Sequence, residues 1–258
     1  MKLWAIAYNT FRENIRDRVL YNILVFAVLM IGLSVVIGKL SLAEQERITI
    51  DVGLTSISIF GVLMAIFLGV GLVSKEIDRK TIYTLVAKPV SRPLFLLGRF
   101  FGLLITIGVN MAIMTIAFAL ALFLIKGHGT WPLTWPMLQA VIMIYMELAI
   151  ITAAAMVFST FSTPTLSAIF ALSFFVIGRL SLGLMEFTAK SKDQVLVGGA
   201  KILYYLVPNL SNYVRIESAL YGDGLPFLLF LRVLGIGTLT SAFLLLIAMT
   251  IFQRRDFV

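Results

Sequence analysis

The chain contains no cysteine, which excludes disulfides, thiolate metal sites and cysteine nucleophiles, and leaves the redox compartment unreadable. Histidine is nearly as scarce. The single His128 lies in Lys126-Gly-His-Gly-Thr130, and one histidine without cysteine or clustered acids is a poor metal site. Charge is sparse too: 13% of the 258 residues are charged and 60% hydrophobic, with a mean hydropathy of +1.01. That leaves too little polar surface to cover a soluble globule. Paired acids, a histidine–serine arrangement and a metal-ligand cluster are all missing from the apolar stretches, so an enzyme embedded in a membrane has no support.

What the chain does have is six long apolar runs: Val19–Gly38, Leu54–Val73, Arg99–Ile125, Met137–Phe158, Thr165–Met185 and Phe227–Phe252. Each approaches or exceeds the ~20 residues that cross a hydrocarbon core as a helix. None shows strand-like alternation, and in lipid every backbone amide must be satisfied within its own segment. The expected fold is an all-α polytopic membrane protein with six transmembrane helices. The apolar core of the first run is too long for a cleavable signal peptide, despite Ser41-Leu42-Ala43 after it, so it reads as an uncleaved span.

The net charge of +8 matters here through position rather than sum, and nucleic acid is not an expected partner. With the N-terminus inside, twelve of the 21 basic residues fall in cytoplasmic segments close to helix ends, against seven outside. Four of those seven share one long loop that counts less. Both termini are therefore expected in the cytoplasm.

Residues 1–18 precede the first span. Leu3, Ala7, Phe11 and Ile15 recur at four-residue spacing, opposite Asn9, Arg12, Glu13, Arg16 and Asp17. This pattern predicts an in-plane amphipathic helix among anionic lipid headgroups, with Trp4 and Tyr8 at the water boundary; the alternative is a basic flank that only orients the first span. The remainder, 19–258, is one six-helix domain with a cytoplasmic loop at 74–99 and an outer segment at 186–226.

The loop alternates charge through Lys75, Glu76, Asp78, Arg79 and Lys80, then turns apolar at Ile82, Leu85 and Val86. The spacing makes a short helix with one apolar face, stopped by Pro89 and Pro93. It suits either docking on a soluble partner or a solvated connection. In the outer segment, Val195–Leu210 is apolar, but Gly198-Gly199, Lys201 and Pro208 argue against a full crossing. A half-inserted or surface-lying helical segment is expected, either lidding the outer mouth or simply packed on the bundle.

Two ionisable residues fall inside spans: Glu147 in the fourth and Arg179 in the fifth. Their depths differ by only ~6 Å at ~1.5 Å per residue, and the tight Ser159–Pro164 turn makes their helices antiparallel neighbours. They are expected to form an intramembrane ion pair; a substrate- or proton-handling role, or an arginine snorkelling outward beside a protonated glutamate, are the alternatives.

Glu76, Thr81 and Leu85, then Ala-Lys-Pro-Val-Ser-Arg at Ala87–Arg92 and Leu-Gly-Arg-Phe-Phe-Gly at Leu97–Gly102, resemble the permease subunits of type-2 ABC exporters. Leu-Val-Pro-Asn-Leu at Leu206–Leu210 and the basic C-terminal stub fit the branch linked to multicopper-enzyme maturation. The family often has glycine before the threonine, where this chain has Lys80. The resemblance implies a dimeric exporter in a bacterial-type inner membrane, made with a second permease copy, identical or not. It also implies a separate cytoplasmic ABC ATPase dimer that handles ATP and Mg, gripping a coupling helix that maps onto Glu76–Val86 with Glu76, Asp78, Arg79, Lys80, Thr81, Tyr83 and Leu85. A periplasmic accessory protein is a further partner such systems allow, and a membrane relay that transmits force without transport is the competing outcome. The chain lacks a phosphate-cradling loop of its own: Gly32 and Gly38-Lys39 are closest, but their spacing is wrong and Leu40 follows.

Because no native thiol interferes, the topology is directly testable. Ser91→Cys and Ser41→Cys are expected to label from opposite faces of intact cells; labelling of both by one membrane-impermeant reagent rejects the six-span arrangement.

Overall fold

A computed structural model of the chain describes residues 2–40, 44–78, 91–126, 133–189, 197–199, 204, 207–213 and 224–254. Its helices are α1 (Lys2–Asn14), α2 (Arg18–Leu40), α3 (Gln45–Asp78), α4 (Arg92–Lys126), α5 (Trp135–Phe161), α6 (Pro164–Ala189) and α7 (Phe227–Arg254), with a short 3-10 turn at Leu210–Tyr213 before α7. No strand occurs among the described residues. Among the described residues, helices α2 to α7 are the six long and apolar enough to cross a membrane, so the chain is an all-α polytopic membrane protein.

Local chemistry sets the boundaries. Asp17 ends the turn after α1 and caps α2, its Oδ1 accepting the Val19 N–H at 3.0 Å. Pro136 stands in the first turn of α5 behind Thr134, and Pro164 opens α6, positions where a missing amide costs nothing. Pro93 likewise lies in the first turn of α4, so the helix that carries the third span begins at Arg92, within the stretch expected as cytoplasmic loop. Ser162 and Thr163 alone separate α5 from α6, and the Ser167 hydroxyl donates to Phe158 O at 3.1 Å across that turn.

The helices α3 and α5 form the centre. Their apolar stretches are 67% and 72% buried, against 22–39% for the other four spans. Helix α3 touches α2, α4, α5 and α6, while α5 touches α3, α4, α6 and α7. Small residues bring them close: a Cβ at Gly61 would lie 2.6 Å from Leu148 Cδ1, and one at Gly69 would lie 2.7 Å from Ala155 Cβ and 3.2 Å from Thr152 O. Close backbone approach is the main source of cohesion between helices in lipid, where apolar side chains gain nothing by leaving the acyl chains for one another.

The same device seats α1 on α4. A Cβ at Gly98 would come within 2.8 Å of the Ile6 side chain, and one at Gly102 within 2.6 Å of both Ala7 O and Thr10 Cβ. The docked face buries Ala7, Thr10 and Asn14, while Trp4 and Tyr8 stay 68% and 64% exposed. The packed stripe is thus small and partly polar, turned away from the pure four-residue apolar spacing, because backbone contact selects small residues.

Gly102→Ala is expected to destabilise the docking of α1 by ~1–3 kcal/mol, since the Ala7 carbonyl cannot yield as a flexible side chain would. Gly235→Ala, at a position with nothing within 4 Å, is the matched control and is expected to leave thermal stability in detergent unchanged or slightly raised. Equal melting temperatures for the two variants contradict the packing described.

Candidate functional site

Three spans converge on one polar cluster. Glu147 of α5 and Ser58 of α3 are both fully buried, and the Arg179 side chain of α6 is 27% exposed. Arg179 Nη1 donates to Glu147 Oε1 at 2.9 Å and to Ser58 Oγ at 3.3 Å. The Ser58 hydroxyl in turn donates to Glu147 Oε2 at 3.3 Å. Phe175, one turn before Arg179, places its ring 5.9 Å from the guanidinium carbon. A buried carboxylate in hydrocarbon needs an opposite charge and donors for its other lone pairs, and this carboxylate has both.

The cluster lies near mid-span. At ~1.5 Å per residue, Glu147 is ~18 Å along α5 from Trp135, Arg179 ~15 Å from Ala189 and Ser58 ~20 Å from Gln45. The three helix ends used for this count lie on one side of the bundle, the side expected outside from the basic residues.

Beside the cluster sits a piece of the outer segment. Val207, Leu210 and Tyr213 are buried, and Asn209 Oδ1 accepts from the Ser211 N–H at 3.1 Å and from the Ser211 hydroxyl, which closes the turn locally. Leu210 covers Gly178, where a Cβ would meet its side chain at 2.8 Å and Pro208 O at 3.0 Å. Tyr213 Oη and Met146 Cε each lie 3.0 Å from the Cβ position of Gly237, and Tyr213 Oη donates to Val233 O at 3.5 Å. Gly178, Met146 and Gly237 lie ~15–17 Å from the Ala189, Trp135 and Phe227 ends of their helices, so 207–213 packs about half-way along the bundle, next to Arg179. Near the start of α5, Gln139 fastens the approach to α7: its Nε2 donates to Leu225 O at 3.1 Å and its Oε1 accepts the Leu225 N–H at 2.9 Å.

Of the residues assigned to ATPase coupling, Glu76 and Asp78 fall in the last turn of α3; Arg79, Lys80, Thr81, Tyr83 and Leu85 lie outside the described residues, as does His128. Ser58 and Gln139 escaped sequence inspection. The hydroxyl-rich run Thr55-Ser-Ile-Ser58 in mid-span was the available signal for the first. Among the described residues no group of three histidine, cysteine or acidic side chains could hold a metal.

A family model described as "ABC-2 family transporter protein" matches residues 4–257. No curated protein matches the chain.

The cluster predicts a pattern of non-additive stability. Arg179→Leu is expected to cost ~3–5 kcal/mol in detergent by stranding the carboxylate, whereas Arg179→Leu combined with Glu147→Gln recovers most of it. Ser58→Ala, which removes one hydrogen-bonding partner of each charge, is expected to cost ~1–3 kcal/mol. A double variant no better folded than Arg179→Leu alone sinks the paired description.

Proposed function

The chain belongs to the ABC-2 transporter family, and from that premise we propose that it is the permease subunit of an ATP-driven exporter, pairing with a second permease copy to form the pathway. The observation that best supports a mechanism is the continuity of α3, which runs unbroken from Gln45 to Asp78, ~50 Å of helix. One end enters the proposed coupling loop; its middle carries Ser58. A helix of that length, packed through Gly61 and Gly69 onto α5, moves as a unit.

In this reading a cytoplasmic ABC ATPase dimer, with its own ATP and Mg, grips the segment from Glu76 to Val86. A change of nucleotide state displaces α3, Ser58 shifts relative to Glu147 and Arg179, and the adjacent 207–213 segment feels the change in the outer half of the bundle. Coupling of this kind requires contacts that differ between two states, and a three-helix hydrogen-bonded charge cluster offers contacts that can be reset. The family, the apolar spans and the basic residues near cytoplasmic helix ends support placement in a bacterial-type inner membrane with both termini inside. Leu206–Leu210 and the basic stub favour the multicopper-enzyme maturation branch within the family, whose cargo the residues do not name.

Leu85→Asp and Tyr83→Asp test the coupling. Both variants are expected to insert normally, since the change lies outside the hydrocarbon, and to lose co-purification of the ATPase or transport-stimulated hydrolysis. Pull-down of the unmodified protein that reproducibly lacks a nucleotide-binding subunit overturns the proposal; hydrolysis that responds to the permease without moving any cargo favours a force relay.

A further inference from the structure

The Leu-Gly-Arg-Phe-Phe-Gly element at Leu97–Gly102 takes no part in the charge cluster. It holds α1 instead. Gly98 and Gly102 admit the α1 backbone, with Leu3 O 3.3 Å and Ala7 O 2.6 Å from the positions where their Cβ atoms would stand. Between them Arg99 Nη1 donates to Glu13 Oε2 at 3.0 Å, the two side chains 12% and 34% exposed, and the guanidinium carbon lies 5.2 Å from the Phe95 ring centroid. Backbone contact, a partly buried ion pair and a ring thus act at one place, each with its own geometric demand. A shift of α1 against α4 breaks all three.

The contact of α1 with α3 is of another kind. Thr10 and Asn14 share a small cleft with Phe67, Leu68 and Gly71 of α3. The Thr10 hydroxyl donates back to Ile6 O at 2.9 Å, and Asn14 Nδ2 is buried with no hydrogen-bond partner, so neither donor holds α3. A buried amide in that condition costs free energy and adds nothing to the contact. The place matters. Gly71 lies about two turns before the end of α3 at Asp78, and Arg99 about two turns after the start of α4 at Arg92. α1 therefore lies against both arms of the proposed coupling loop, fastened to the outgoing arm and set on the incoming one through two donors that do not bond to it.

We infer that α1 and α4 form one frame, closed by Glu13 and Arg99, along which α3 slides when the coupling loop is driven. The inference rests on the coupling proposed above, and Arg99 is in it a positioning residue, touching neither cargo nor nucleotide. Sliding of packed helices needs a surface with few directional bonds and a fixed reference beside it. The α3 side of α1 supplies the first and the α4 side the second. Without the frame, displacement of the loop is taken up by movement of α1 on α4, and less of it reaches Ser58.

Spin labels on introduced cysteines test this in the full-length protein, which has no thiol of its own. One pair joins Asn9→Cys on α1 to Ile116→Cys on α4, and a second joins Asn9→Cys to Ile59→Cys on α3, all three positions being exposed. In the protein alone, Glu13→Arg is expected to broaden the α1–α4 distance distribution, with Glu13→Gln, which keeps the shape without the charge, in between. In the complex with its ATPase, exchange of ADP for ATP is expected to shift the α1–α3 distance and leave α1–α4 unchanged. Glu13→Arg is expected to lower permease-stimulated hydrolysis about tenfold, the factor that one lost charge-assisted contact corresponds to, while the ATPase still co-purifies. If Glu13→Arg fails to fold by circular dichroism, Glu13→Gln carries both measurements. An α1–α4 distribution unmoved by the substitution, or an α1–α4 distance that changes with nucleotide as much as α1–α3 does, overturns the inference. Absence of a nucleotide-binding subunit from the unmodified protein overturns instead the function on which it rests, and the width of the α1–α4 distribution still decides whether Glu13 and Arg99 close the frame.

Discussion

Close backbone contact between α3 and α5 is the constraint from which the rest of the bundle follows. Gly61 under Leu148 and Gly69 under Ala155 leave one axial register available to the two helices, because any slide would drive a side chain into a backbone that has no room to give. That register brings Ser58 level with Glu147, so a hydroxyl on one helix meets a carboxylate on the other. With α6 returning after only Ser162 and Thr163, Arg179 reaches the same level. The packing thus precedes the electrostatics: the small residues fix the depth at which a charge pair can close.

The polar backbone beside the pair is covered by its own contacts. A segment that is not α-helical, such as 207–213, is tolerated at membrane depth only where protein covers it. Leu210 on Gly178 and Tyr213 against Gly237 and Met146 supply that cover, and the local Asn209–Ser211 turn satisfies part of its hydrogen bonding internally. The glycines at these contacts have a role distinct from Gly61 and Gly69. They open space for an inserted strap rather than for another helix, and the strap packs on Gly178, one residue before the arginine of the charge cluster.

Much of this architecture was legible because lipid restricts the options. Six apolar runs of spanning length could only be helices, and a glutamate and an arginine at matching depth on antiparallel neighbours had few places to go. The misplaced features share a cause. Helix ends that leave the hydrocarbon carry no hydropathy signal, so α3 extends from Gln45 to Asp78 around a run expected at Leu54–Val73, and α4 starts at Arg92, within residues expected to be loop. The buried face of α1 was obscured for another reason: Thr10 and Asn14 are polar, and the close seat of Thr10 depends on Gly102 far along the chain. Periodicity within a segment cannot report a surface supplied by a different segment. Ser58 was hidden likewise, since one serine in a helix usually satisfies itself on its own backbone, as Ser56 does on Val52 O at 2.7 Å.

The position of α3 ties the separate sites together. Along one helix stand Ser58 in the charge cluster, Gly61 and Gly69 in the contact with α5, Phe67 on the wall of a small cleft shared with Thr10 and Asn14 of α1 and Arg99 of α4, and Glu76 to Asp78 at the mouth of the proposed coupling loop. Phe67 and Gly69 lie two residues apart, hence on different faces of the helix, so α3 presents the cleft to α1 while pressing its glycines on α5. A displacement of α3 large enough to shift Ser58 from Glu147 would also change the width of that cleft, because both move with the same rigid body. The packing of α1 on the bundle and the state of the charge cluster are then linked quantities, and linkage is reciprocal: whatever favours one position of α3 at one end favours it at the other.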